Sequence, residues 1–419
     1  MYALVDCNNF YTSCEKVFSP ALEKKPIVVL SNNDGCVISR SEEAKQIGIR
    51  MGAPAHMIED LIKTNQVNVF SSNYTLYGDM SDRVMKTLSA FVPRMEIYSI
   101  DEAFLDMHGL PQGDLLKLAF TIRRTIGQNT GIPVCVGVAP TKTLAKMANR
   151  YAKKMHREAG VFWAANQRLV EEMLRYTDVR DVWGIGHQHS RLLKANGFNT
   201  AFDLTRAPDD WVRQHLAVVG LRLVNELRGI QALGLKEEQP AKKNICTSRS
   251  FGKIITDKNL VKEAISNYAA SCAAKLSGQQ ELAKQLRVFV QTNPFRAQDL
   301  QYFRSIIVQL PLATASALDI IRYALKGFEI VYRDGFNYHK GGVELSDFVP
   351  ADAVQLNLFA GENKKQQKAM AAVEGLNKSL GKETVKVGIQ GFAKSYKMRA
   401  GMLSPKYTTK LADVITIKH

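Results

Sequence analysis

No stretch of the 419 residues offers an unbroken apolar run of about 18, and the N-terminus lacks a basic region followed by a long apolar one. The sequence therefore predicts a chain that is neither exported nor membrane-spanning. Its six cysteines, Cys7, Cys14, Cys36, Cys135, Cys246 and Cys272, contain no C-x-x-C pair and lie mostly in apolar surroundings. That pattern argues against a zinc ribbon and a disulfide framework, and reads as reduced thiols of a cytosolic protein. Internal repeats and low-complexity tracts are also lacking. Finally, no Lys or Arg precedes Lys16, so an acid in the first fifteen residues must find its counter-charge far away in sequence.

What is present begins with length and charge. A 419-residue chain that is 46% hydrophobic has material for several cored domains. The net charge is +16, unevenly spread: residues 1–110 hold 10 Lys+Arg against 14 Asp+Glu, the remainder 46 against 26. An acidic region followed by a long basic one suits a metal enzyme that grips a polyanion, with carboxylates holding metal and lysines and arginines neutralising phosphates.

The acids are specific. In "YSIDEAFLDM", Asp101 and Glu102 stand side by side between two strand-like runs, "MEIYSI" and "AFLDM", which predicts a hairpin with the pair at or near its tip. Two carboxylates so close repel, and burial adds a desolvation cost, so a cation belongs between them. Taken alone, the pair fits a solvated hairpin tip as well. A third acid shifts the balance: "MYALVDCNNF" reads as a buried strand from Tyr2 to Val5 delivering Asp6 at its end. Three carboxylates on strand ends make an oxygen-rich site of the kind Mg²⁺ prefers, and two such ions define a phosphoryl or nucleotidyl transfer site.

Further along, "KKPIVVLSN" predicts a strand, "SRSEEAKQIG" a helix closed by Gly48, and Asp79 to Phe91 another helix. "GIPVCVGVAP" predicts a strand running into the helix "TKTLAKMANRYAKKM". Lys142, Lys146 and Lys153 on that helix fit a solvated basic face or, given the nearby acids, a triphosphate site. Residues 166–235 read as helical. Gly184 and Gly186 in "VWGIGHQHS" have the pattern of a helix-hairpin-helix, which offers backbone N–H groups to DNA phosphates. Residues 236–243 read as a linker. Residues 244–350 predict strand, helix, strand, strand, helix, strand, a split β-α-β arrangement carrying Lys253, Lys258, Arg287 and Arg304 as a second basic surface. The remaining 351–419, with 12 Lys+Arg against 5 Asp+Glu, reads as a tail that orders mainly on partners.

Together, "ALVDCNNFYTSCE", "SNNDGCVISRSEEAKQIGIRMG", "IYSIDEAFLDM", "GVAPTKTLAKMAN" and "DVWGIG", in this order and spacing, resemble the Y-family translesion DNA polymerases, most nearly their UmuC-type branch. "SRSFG", "QLNLF" and "MLSPKYTT" extend the resemblance over nearly the whole chain. It implies a mixed α/β right hand: palm over 1–30 and 76–165, fingers over 31–75, thumb over 166–235, little finger over 244–350, and a partner-binding tail. Asp6, Asp101 and Glu102 match the family's metal-binding acids for two Mg²⁺ ions, with the carbonyl of Cys7 as a backbone ligand. Phe10 and Tyr11 match the aromatic pair beneath the sugar, Tyr11 being the steric gate. Ser39, Lys45 and Lys146 fall where the family contacts the triphosphate, although many relatives carry tyrosine at the Asn9 position and arginine at Lys45.

The resemblance also implies the partners: primer-template DNA, a deoxynucleoside triphosphate, a UmuD′-type accessory dimer, a sliding clamp and a RecA filament, within the bacterial SOS response and at the nucleoid. Gln355, Leu356, Leu358 and Phe359 of "QLNLF" resemble a clamp-binding hook. Two other classes compete. A nucleotidyl cyclase shares two-metal chemistry but needs no helical phosphate clamp. A non-catalytic DNA-binding factor uses the basic segments but has no reason to bury three acids together.

Overall fold

The computed structural model describes residues 1–236, 240–352, 364–381, 383–392 and 395–416, leaving aside the side chains of residues 112, 364 and 367. Two compact units emerge: Met1–Gln239 with Gly401–His419, and Pro240–Ala400.

The first unit opens with β1 (Tyr2–Cys7), α1 (Phe10–Phe18), β2 (Ile27–Leu30), β3 (Val37–Arg40), α2 (Glu42–Gln46), α3 (Glu59–Thr64), β4 (Asn68–Ser71) and α4 (Tyr74–Ser89). It continues with β5 (Met95–Ile97), β6 (Glu102–Asp106), α5 (Leu115–Thr130), β7 (Val134–Ala139), α6 (Lys142–Met155) and β8 (Val161–Trp163). Its main sheet has the order β5-β6-β1-β7-β8. β1 sits at its centre, antiparallel to both β6 and β7, and its run from Tyr2 to Val5 is continuously apolar because both faces of the strand are covered. Tyr2 and Leu4 face a core shared with α6, whereas Ala3, Val5 and Cys7 face one built with α1, α4 and α5. By that alternation Asp6 belongs to the α6 side, as does Glu102, its partner across β1 and β6.

One residue sets how near α6 lies to the sheet. A Cβ on Gly137 of β7 would come within 2.0 Å of the Asn149 backbone nitrogen and 2.6 Å of the Ala145 carbonyl. Only a residue without a side chain fits there, and the helix answers with Ala145, Ala148 and Ala152, all fully buried. Buried Asn149 then donates its side-chain amide to the carbonyls of Leu4 (3.1 Å) and Cys135 (2.7 Å), tying helix to strands.

A smaller sheet, β3-β2-β4, has its own core of Val28, Leu30, Val37, Ala44 and Ile49. α7 (Gln167–Tyr176), α8 (His187–Ala195), α9 (Ala201–Thr205) and α10 (Asp209–Leu227) form the helical segment expected over 166–235 and pack on the α6 side. The second unit runs β9 (Ile245–Ile255), α11 (Lys258–Ser277), β10 (Glu281–Thr292), β11 (Phe303–Thr314), α12 (Ala317–Val331) and β12 (Tyr338–Pro350), the order read from the sequence. Its antiparallel sheet, β11-β10-β12-β9, buries Leu286, Val288 and Val290 beneath the two helices. Of the four basic residues expected there as a surface, Lys258 is paired with Glu329 (2.7 Å) and Arg287 with Glu344.

The stretch 351–419, expected to order mainly on partners, differs in its described part. α13 (Lys364–Ser379) is joined to α11 through Glu374 and Ser277 (3.1 Å). Tyr396 is buried against Phe251 and Tyr268, with its hydroxyl hydrogen-bonded to Asn267 (2.7 Å). Beyond Ala400 the chain belongs to the first unit, where Tyr407 stacks on Phe18. Beyond α13, single anchors spaced along irregular chain do this, which is why no periodicity announced them. All six cysteines are free thiols, and no helix among the described residues is long and apolar enough to cross a membrane.

Candidate active site

The hairpin of β5 and β6 turns through Tyr98–Asp101, and Ser99 organises it. The Ser99 hydroxyl donates to the Asp101 carboxylate (2.5 Å) and accepts from the Glu102 backbone N–H (3.1 Å). The Cys7 N–H donates to the Asp101 carbonyl (2.9 Å), so the tip is fastened to the end of β1. Asp6 and Glu102 face each other across neighbouring strands, and Asp101 flanks them. Asp101 occupies the bend and Glu102 the strand end, so the two adjacent acids are not held to opposite faces as two successive strand positions would be.

Burial raises Asp6 from 3.8 to about 7 despite the opposing effect of the Lys153 ammonium beside it; neighbouring Glu102 raises it further. Lys146 holds Glu102 through both carboxylate oxygens (3.0 and 2.8 Å) and lies over the Tyr98 and Trp183 rings, 4.5 and 5.6 Å from their centroids. Among the described residues the acids are not gathered around one point; two of the three are held by lysine ammonium groups. Lys142 is different: it is 3% exposed and paired with buried Glu96 (2.5 Å), so it supports the scaffold instead of joining a phosphate site. Lying on one helical face with Lys146 did not determine its environment, because Lys142 begins α6 where the chain is enclosed.

Beside the acids, Phe10 is buried and Tyr11 half-buried on α1, with Tyr11 stacked on Tyr77 at 4.5 Å. Ser39 lies buried in β3. Lys45 reaches from α2 to the Asn9 side chain (2.6 Å) and to Glu42 (2.5 Å). Asn9 takes up a left-handed backbone conformation (φ 48°) as it begins α1. Asn9, Lys45, Lys153, Lys16, Lys154 and Arg157 are among the residues lining a cleft of about 910 Å³.

Residues 5–150 match the impB/mucB/samB family, residues 242–358 its C-terminal domain, and residues 367–417 a domain of unknown function (DUF4113). Protein UmuC of Salmonella typhimurium is 44% identical over 422 residues, covering 100% of both chains. The chain belongs to this family and is a UmuC-like Y-family translesion DNA polymerase. DNA polymerase IV 1 of Bacillus subtilis is 26% identical over 92% of the polymerase and 91% of its own length. Among solved structures, a Y-family DNA polymerase chimera, Dbh-Dpo4(243-245)-Dbh, shares the fold with a TM-score of 0.65 at 21% identity, covering 83% of this chain and 99% of that one.

In the polymerase, Gly184 takes a positive φ of 88° and Gly186 immediately precedes α8. Gln355, Leu356, Leu358 and Phe359 lie outside the described residues. Sequence reasoning grouped Lys153 with the basic helix face but did not assign it to the acids. Its signal was its spacing of seven from Lys146, two helical turns along the same face. Oxygen donors alone make up the carboxylate set, and two of its charges already hold a cationic group. This fits the divalent metal that the polymerase fold implies.

Proposed function

We propose that the chain catalyses template-directed nucleotidyl transfer from a deoxynucleoside triphosphate to a primer 3′-hydroxyl, past damaged template bases, at a two-metal site formed by Asp6, Asp101, Glu102 and the Cys7 carbonyl. The observation that carries this reading is the facing of Asp6 and Glu102 on neighbouring central strands, each held by a lysine of α6. Bound Mg²⁺ ions would supply Lewis-acid activation of the hydroxyl and neutralise charge on the departing pyrophosphate. Lys146 and Lys153, once released from the carboxylates, are free to bind triphosphate oxygens together with Lys45 and Ser39. Tyr11 lies against the sugar and excludes a 2′-hydroxyl by overlap. Positioning by phosphate contacts leaves the nascent base pair loosely held, as lesion bypass requires.

Primer-template DNA is the polyanion that the basic residues serve, including the N–H groups around Gly184 and Gly186. A UmuD′-type dimer, a RecA filament and a sliding clamp engaged through residues 355–359 complete the proposed assembly. The test is primer extension with Mg²⁺ on undamaged and abasic templates. Extension across the abasic site supports the reading; failure to extend even the undamaged primer overturns it.

A further inference from the structure

The segment Gly401–Asp413 lies within the match to a domain of unknown function, and it is fastened into the first unit near the sugar-facing residues. Ser71, last in edge strand β4, donates its N–H to the Met402 carbonyl (2.9 Å) and accepts the Met402 N–H on its hydroxyl (3.0 Å). Asn73, 2% exposed, donates to the Ser404 carbonyl (3.1 Å), the Ser404 hydroxyl (3.0 Å) and the Pro405 carbonyl (3.2 Å). Tyr407 lies flat on Phe18, with centroids 4.7 Å apart and planes 10° from parallel.

Ser404 then passes the connection inward. Its hydroxyl donates to Glu15 Oε1 (3.0 Å), the same oxygen that accepts the Tyr77 hydroxyl (2.6 Å). Glu15 is 2% exposed, so its carboxylate depends on these two hydroxyl donors; burial raises its pKa and both donations lower it. Tyr77 is fully buried, and its ring lies 14° from parallel with Tyr11. A tyrosine hydroxyl fixed at one end and a stacked face at the other leave the Tyr77 ring little freedom to shift without moving Tyr11.

We infer that the C-terminal segment is a positioning element for sugar selection: Ser404 holds Glu15, Glu15 holds Tyr77, and Tyr77 holds Tyr11. Ser404, Glu15 and Tyr77 are positioning residues that touch no substrate. Removing the Ser404 hydroxyl leaves the buried carboxylate with one donor, so Glu15 reorients and the Tyr77 hydroxyl follows it. The inference rests on Tyr11 facing the sugar, as proposed above.

The test uses the full chain and single-nucleotide insertion on an undamaged primer-template, with kcat and KM measured for a deoxy and a ribo substrate of the same base. Ser404→Ala should raise the ribo-to-deoxy ratio of kcat/KM by roughly 2- to 12-fold, the range one hydrogen bond supports. Ser404→Thr, which keeps the hydroxyl, should restore the wild-type ratio. Tyr77→Phe keeps the segment docked and cuts the link one step further in, so it should shift the ratio in the same direction even if Ser404→Ala folds poorly. Parallel loss of ribo and deoxy insertion, or an unchanged ratio in Tyr77→Phe, overturns the linkage. Tyr11→Ala separates the two layers of argument. If it admits ribonucleotides while the other variants do not, the linkage alone fails; if it does not, the gate assignment fails and takes the linkage with it.

Discussion

The Lys153 ammonium lies against the carboxylate of Asp6, a side chain from a helix meeting one from the central strand of the sheet. The pair matters most where Asp6 is ionised. Lys153→Met should therefore destabilise the metal-free protein by about 1 kcal/mol at pH 8, a figure kept small because the lysine is one-third exposed. At pH 6, with Asp6 largely protonated, the loss should shrink. Urea midpoints at the two pH values decide it, and equal losses would count against the pair. The same variant should raise KM for the triphosphate, since the freed ammonium is assigned to its phosphates.

Asp6 also sets a pH dependence. Its folded pKa of about 7 lies above the ordinary 3.8, so the native metal-free chain holds this proton more tightly than the unfolded one. The stability it contributes is present in acid and lost as pH rises through that window. Divalent cations take the ionised form, so Mg²⁺ uptake below pH 7 should release close to one proton from this group, and affinity should weaken as the solution is acidified. Calorimetric titration in two buffers of different ionisation enthalpy measures the release. Proton release that does not change between pH 6 and pH 8 would refute the assignment of Asp6 to the metal.

Asp101→Asn and Glu102→Gln should each abolish primer extension while leaving primer-template affinity within about twofold, because phosphate contacts from Lys and Arg supply most nucleic-acid affinity. Fluorescence anisotropy alongside extension assays separates the two effects. Near-normal turnover in either variant would remove it from the metal site.

Gly137→Ala addresses the scaffold. The added methyl meets backbone on α6, which has no flexible end to swing aside. Overpacking of this kind costs about 1–3 kcal/mol or more, and relief requires α6 to lift from the sheet. A lifted helix carries Lys146 and Lys153 away from Glu102 and Asp6, so extension should fall even at temperatures where the variant stays folded. Wild-type activity and midpoint in Gly137→Ala would show that the strand and helix are less tightly joined than described.

Much of this was legible in the sequence, for identifiable reasons. Asp6 ends an uninterrupted apolar run, and Asp101 with Glu102 interrupts two; charges set against burial stand out. The second unit was legible because strand and helix patterns alternate there over long segments. Lys142 was misread because helical spacing gives a face but not what covers it, and here Glu96 does. The C-terminal anchors Tyr396, Ser404 and Tyr407 were missed because each is a lone side chain docking at a distant place. Nothing in local sequence marks Ser404 as a partner of Glu15.

That partnership spans 389 residues. Chains emerge from the ribosome N-terminus first, at roughly 5–20 residues per second, so Glu15 waits on the order of 20–80 s before Ser404 is synthesised. During that interval the buried carboxylate of Glu15 lacks one of its two donors. A product terminated between Met155 and Ser404 keeps that defect permanently, although β1, β6 and the whole basic helix are already in place.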